Sequence, residues 1–259
     1  MKYWAERSAK AQTALTTKNI KEIEKQMGKY YNRAMEAVIA DFVATYDKLM
    51  STAATGKEVT VADLYKLDRY WELQNQLQRE LDRLGNREMA VMISAFRKEF
   101  YDIYDVIPLP SSGAAYSSIS KEMVEQMINQ IWCADGKSWS NRIWMNTAKL
   151  RETLNEHLIN CVLTGKRTSD LKKILQDDFD VGYRRADAIV RTEMAHIQTE
   201  AAKKRYEDYG IRQVEILADE DERRCPECGE LHGKKYFVTD AIPVPAHTNC
   251  RCCVVPVID

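Results

Sequence analysis

The stretch Tyr209-Gly210-Ile211-Arg212-Gln213-Val214-Glu215-Ile216-Leu217 changes its hydrophobic period at the glycine. From Ile211 onward apolar and polar residues alternate, with β-branched members at Val214 and Ile216, as in a half-buried strand. Before Gly210 the apolar residues recur every three or four positions, the period of a helix with one buried face. The expected fold is therefore mainly α with a small α+β C-terminal module. Long N-terminal helices and a helical middle region lead into a short sheet around a cysteine knuckle.

Working back from Gly210, a last long helix is expected from Gly182 to Tyr209. Another is capped by Thr168 or Ser169 and runs to about Phe179. Earlier helices are expected at Asn141–Leu163, stopped by Gly165, and at Ser120–Trp132, with a turn at Asp135-Gly136. Residues Ile23, Met27, Tyr30, Ala34, Val38, Phe42, Tyr46 and Leu49 mark one face of the first long helix. A second opens at Thr60 and passes Leu64, Leu67, Trp71, Leu77, Leu81 and Leu84 to a stop at Gly85; a third covers about Arg87–Asp105. Two prolines in Ile107-Pro108-Leu109-Pro110-Ser111-Ser112-Gly113 forbid helix and mark a boundary. This gives an N-terminal helical region at 1–110, a linker at 111–119 and a domain at 120–259, whose last part, 211–259, is the mixed module.

Beyond the strand, five of the seven cysteines fall in the last 35 residues. An odd, clustered count suits metal binding better than a disulfide framework, while Cys133 and Cys161 read as small buried residues. In Cys225-Pro226-Glu227-Cys228-Gly229, two thiolates two residues apart can bite one ion. A second half follows after about twenty residues, at His247-Thr248-Asn249-Cys250-Arg251-Cys252-Cys253. The expected zinc ligands are Cys225, Cys228, His247 and Cys250, with Cys252 as the alternative donor and Cys253 facing the core. Four protein ligands close a tetrahedral site, which is then structural rather than catalytic. The His-x-Glu partner of a zinc deaminase and the His-Glu-x-x-His of a zinc protease are both missing. A redox pair needs a helix starting at its cysteines, and the turn-rich stretch after Gly229 argues against one.

The charges balance, 38 basic against 39 acidic residues, so no overall field draws the chain to nucleic acid or to an anionic membrane. No apolar run approaches the roughly 18 residues of a membrane span. Between Ser140 and Arg205, 13 basic against 9 acidic residues leave a local excess of four. Lys166, Arg167, Lys172, Lys173, Arg184 and Arg185 are the candidate contacts for DNA phosphates, against the alternative of a solvated face balanced by Asp177, Asp178 and Asp180.

Taken together, Arg191-Thr192-Glu193, Gly210-Ile211, the strand to Leu217, Asp221, Cys225-Pro226-Glu227-Cys228, Leu231-His232-Gly233-Lys234 and His247-Thr248-Asn249-Cys250-Arg251-Cys252 resemble the phage Mu protein F-like family of minor head, or head morphogenesis, proteins. The resemblance covers about residues 140–257. Tyr3-Trp4-Ala5-Glu6-Arg7, with Tyr30-Tyr31, is similar to the start of minor capsid proteins of tailed phages infecting Gram-positive bacteria. The resemblance implies a non-enzymatic, low-copy virion protein of the head interior, assembled in the host cytoplasm near the portal and affecting DNA packaging or ejection. Its implied partners are the phage portal protein, with capsid or scaffolding protein and phage DNA beyond it, and no membrane. Since the chain ends two residues after the module, no cargo enzyme is expected downstream. The competing expectation is a zinc-containing, DNA-acting enzyme such as a nuclease, with Asp219, Glu220 and Asp221 around a further metal or water.

Overall fold

The structure is a computed structural model that describes residues 2–53, 60, 62, 65, 68–110, 119–219, 221–222 and 224–258. Its helices are α1 (Lys2–Ala53), α2 (Asp68–Val106), α3 (Lys121–Ile128), α4 (Trp139–Thr164), α5 (Thr168–Asp208) and the short α6 (Pro226–Leu231). Three strands, β1 (Gln213–Leu217), β2 (Lys235–Phe237) and β3 (Cys253–Pro256), form an antiparallel sheet in the order β2-β1-β3. The mainly helical chain with its small C-terminal sheet is thus the fold class that the change of period at Gly210 announces.

Glycine explains where the helices differ from expectation. Gly165 and Gly210 end helices in the left-handed conformation, at φ 57° and 82°. Gly85 and Gly182 lie inside α2 and α5, so the helices expected to stop or restart there are continuous. Both are packing notches. A Cβ on Gly85 would stand 2.8 Å from the Trp144 ring, and one on Gly182 would stand 3.2 Å from Leu150. Gly28, in α1, has no such neighbour. Gly28→Ala is therefore expected to stabilise the chain by ~0.5–1 kcal/mol through helix propensity, and Gly85→Ala to destabilise it despite the same propensity gain. Equal gains in thermal unfolding would contradict the notch.

The buried seam of α1 follows the expected spacing except that Tyr31, at 4% exposure, takes the place of Tyr30. In the first half of α2 the buried apolar side chains are Tyr70, Leu73, Leu77, Leu81 and Leu84, whereas Trp71 is 59% exposed. Cys161 is buried as expected, but Cys133 is only half-buried. Leu64, Leu67 and positions 111–118 of the expected linker lie outside the described residues.

The chain folds into two compact units whose boundaries cut across its longest helices. One unit comprises 1–24, 91–139 and 187–259; the other comprises 25–90 and 140–186. Among the described residues the second has helices and no strand, and its buried residues include Phe42, Tyr46, Leu81, Leu154, Leu158, Leu175 and Phe179. Tyr46 donates to the carbonyl of Cys161 at 3.1 Å, linking α1 to the end of α4.

The first unit holds the sheet. Buried Val214 and Ile216 of β1 lie opposite Pro256 and Val254 in the register. Every residue of β3 is buried. The Val254 carbonyl, on an edge strand, accepts from Gln12 at 2.9 Å and from Tyr206 at 3.2 Å, and the Tyr206 oxygen in turn accepts from the Ser8 hydroxyl at 2.5 Å. This network covers an edge that would otherwise carry an unpaired buried carbonyl. It also anchors the last strand to both α1 and α5. No helix among the described residues is long and apolar enough to cross a membrane.

Candidate metal centre

The first knuckle follows the loop after β1. Cys225 is the N-cap of α6, with extended backbone at φ −76° and ψ 160°, and Pro226 opens the helix, where a missing N–H leaves no bond unmade. The Cys228 N–H donates to Cys225 Sγ at 3.3 Å, so the cysteine takes the capping role usually filled by Ser or Asp. That bond is the main reason the Cys225 thiol titrates below its ordinary range. A helix does therefore begin at the cysteines, contrary to the expectation from Gly229, but it is six residues long and faces a second set of donors. The Gly233 N–H donates to the Ile216 carbonyl at 2.8 Å, and the Ala218 N–H donates to His232 Nδ1 at 3.2 Å. Both bonds tie the far end of the knuckle to β1 and the residue after it.

The second knuckle is a turn that leads into β3. The Cys250 N–H closes it on the His247 carbonyl at 3.1 Å, with Asn249 between them at φ 61°, a left-handed position that asparagine tolerates. The Asn249 N–H donates to Thr192 Oγ1 of α5 at 3.1 Å, while the same hydroxyl donates to the Ala188 carbonyl. Its neighbours in the helix also hold position: Arg191 pairs with Glu24 and Asp187, and Glu193 accepts from Trp132 Nε1 at 2.9 Å. Sequence spacing offers no signal for the Thr192 contact.

The folded knuckles bring all five expected donors together. His247 Nε2 lies 3.2 Å from Cys225 Sγ and 3.0 Å from Cys228 Sγ, and Cys228 Sγ lies 3.8 Å from Cys250 Sγ. Cys225, Cys228 and His247 form one triad with donor atoms within 4.8 Å of each other; Cys228, Cys250 and Cys252 form another. Cys228 belongs to both. Two sulfurs bound tetrahedrally at about 2.3 Å are about 3.8 Å apart, so the Cys228–Cys250 separation is that of two ligands on one zinc. His247 Nδ1 is 2.8 Å from the Thr248 carbonyl, which makes it the N–H donor and leaves Nε2 with its lone pair toward the sulfurs.

Proton affinities show what the cluster asks for. A hydrogen bond with Cys252 draws the Cys250 thiol down to about 5, while the same bond pushes Cys252 far up, and burial pushes Cys228 up to about 12. The bond to the Thr248 carbonyl raises His247. Four thiols and an imidazole this close share protons because they cannot all carry thiolate charge unaided. A divalent, thiophilic cation would replace those protons with two positive charges on one centre, and the donor set fits zinc. Cys253, pushed up to about 12 by burial, lies apart from both triads and faces the core as expected.

Around the mouth of the cluster, Arg251 pairs with Asp219 at 2.8 Å and grips Asp221 with two bonds at 2.8 and 2.6 Å. These carboxylates close the loop before the first knuckle onto the second knuckle. Glu220 lies outside the described residues. The six basic positions, Lys166, Arg167, Lys172, Lys173, Arg184 and Arg185, are all exposed in the helical unit. Arg167 pairs with Asp170, and Asp177 and Asp180 fall on the α5 face between Lys173 and Arg184.

Residues 152–255, the part of the chain that holds the second half of α4, α5, the sheet and both knuckles, match the family described as Phage Mu protein F like protein. The NAD(+)--arginine ADP-ribosyltransferase EFV of Enterococcus faecalis (strain ATCC 700802 / V583) is similar at 24% identity over 142 residues, covering 48% of this chain and 29% of that one. The chain thus spans less than a third of that relative's length. No solved structure matches.

Proposed function

We propose that this protein is a phage minor head protein acting in head morphogenesis, with a structural zinc ion joining its last strands to its helices. The observation that carries the proposal is the double knuckle inside the family-matched segment: two donor triads, Cys225–Cys228–His247 and Cys228–Cys250–Cys252, meet at Cys228, built on backbone that docks onto α5. The ligands are Cys225, Cys228, His247 and Cys250, and Cys252 donates a hydrogen bond to the set. His247 Nε2 points at the sulfurs, while Cys252 reaches them through the Cys250 and Cys228 thiols. His247→Ala is then expected to abolish stoichiometric zinc and Cys252→Ala to weaken it only about ten- to a hundredfold. The reverse pattern in metal titrations transfers the fourth place to Cys252.

What supports a structural role is that a zinc ion held by four protein donors would have no position for substrate, and that Asp219 and Asp221 pair with Arg251. The portal protein is the proposed partner, approached by the helices rather than by the zinc module, with phage DNA in the head interior. The protein is expected in mature particles, near the portal vertex in an asymmetric reconstruction of the head. Finding it in infected cells but not in particles would contradict the proposal.

A further inference from the structure

Glu88 of α2 has no exposed surface, and neither carboxylate oxygen has a hydrogen-bond partner among the described residues. It lies in the helical unit beside a polar layer to which the three other long helices contribute. Tyr31 of α1 donates to the Gly182 carbonyl of α5 at 3.3 Å. Asn146 of α4 donates to that carbonyl at 2.9 Å and to the Tyr31 hydroxyl at 3.2 Å, while its own Oδ1 is buried without a partner among the described residues. The Tyr31 hydroxyl has a single proton, for which the Gly182 carbonyl and the Glu88 carboxyl compete. Gly182 permits the layer because its missing side chain admits Leu150 and the Tyr31 ring.

The layer is rich in acceptors, and the described residues that build it include no cation. Tyr31 is the titratable group that faces Glu88 directly, Tyr183 of α5 stacks edge-on against Tyr31 at 5.4 Å, and α4 contributes the uncharged Asn146. A carboxylate in such a place has no counter-charge and at most the contested Tyr31 proton as a donor, a costly arrangement in a packed core, whereas a carboxylic acid is neutral and brings a further donor to the layer. By contrast, Glu99, the other fully buried carboxyl among the described residues, accepts from Thr16 and from Asn19, and it lies in the other unit.

We propose that Glu88 is a proton-controlled latch of the helical unit: protonated, it lets the four helices close on the layer, and ionised, it opens the layer to water. Burial raises its pKa from the ordinary 4.5 to about 8. The folded unit therefore keeps a proton that the unfolded chain has lost, and stability falls as pH rises from 4.5 to about 8 and then levels off. Above that plateau the native unit itself carries the carboxylate, and local opening follows.

The test is amide hydrogen exchange of the full chain across this pH range, corrected for intrinsic rates, in wild type and in Glu88→Gln, the neutral isostere. In wild type, protection of residues 25–90 and 140–186 is expected to fall by up to about tenfold per pH unit, and the substitution is expected to remove that slope. If Glu88→Gln fails to fold, Glu88→Met serves in its place. Infrared spectroscopy of the wild type gives an independent readout: a carboxylic-acid band at pH 7 that is lost on raising the pH above 8 and that loses its Glu88 part when Glu88 is replaced, the remainder belonging to Glu99, which burial raises to about 7. Equal pH slopes in wild type and variant, or no such band, overturn the proposal.

Discussion

Cys228→Ser is expected to remove stoichiometric zinc from the protein and to cost the metal-bearing unit much of its stability. Cys228 is the one donor common to both triads, so no rearrangement among the other four restores its place. Metal binding in small zinc modules contributes on the order of 10 kcal/mol of folding free energy, more than most single domains have in reserve. The loss is not confined to the knuckles. β3 begins at Cys253, next to the second knuckle, and its Val254 carbonyl is the acceptor for Gln12 and Tyr206. Hydrogen exchange should therefore rise not only after Gly210 but also in residues 2–24, around Gln12, and along α5 at Tyr206. If exchange rises only after Gly210, the module is a separable appendage and the Gln12–Tyr206–Val254 network does not carry the coupling.

Phe42→Ala is expected to have a comparably large effect in the other unit, about 3–5 kcal/mol. The ring has no exposed surface and is among the largest fully buried side chains, so its removal forfeits transfer free energy and leaves a cavity. Zinc stoichiometry should stay at the wild-type value because all five candidate donors belong to the unit that holds the sheet. Denaturant unfolding and metal analysis of the one variant read both quantities. A cost below about 1 kcal/mol would place Phe42 outside the core, and loss of zinc would mean that the centre depends on the helical unit.

Much of this was legible in the sequence, and the failures share a physical cause. Spacings of three and four found the seam of α1, Tyr31 aside, and the Leu77, Leu81 and Leu84 part of α2, and alternation found β1, because those patterns are set by the geometry of a single element. Gly85 and Gly182 misled because one residue type serves two ends: it terminates a helix through positive φ, and it opens a notch for a neighbour inside one. Only Leu150 and Trp144, distant in sequence, distinguish the cases. Trp71, apolar by composition, lies on the outer face. β2 is three residues long, Lys235-Tyr236-Phe237, too short for a period, and exists because β1 offers it a ladder.

The donors of the candidate site were legible for a different reason. Metal chemistry restricts which residue types appear and how far apart they stand, so Cys225, Cys228, His247, Cys250 and Cys252 announce themselves without a fold. The supports do not. Thr192 beneath Asn249 and Arg251 between Asp219 and Asp221 are common residues at uninformative spacings, brought together only by the packing of the second knuckle on α5 and on the loop after β1.

The most direct measurement is the metal content and ligand shell of the full chain purified without chelator, by native mass spectrometry and zinc X-ray absorption. One zinc per chain bound by three sulfurs and one nitrogen is the predicted result. A chain carrying no metal, or a metal bound mainly by oxygen, would contradict it.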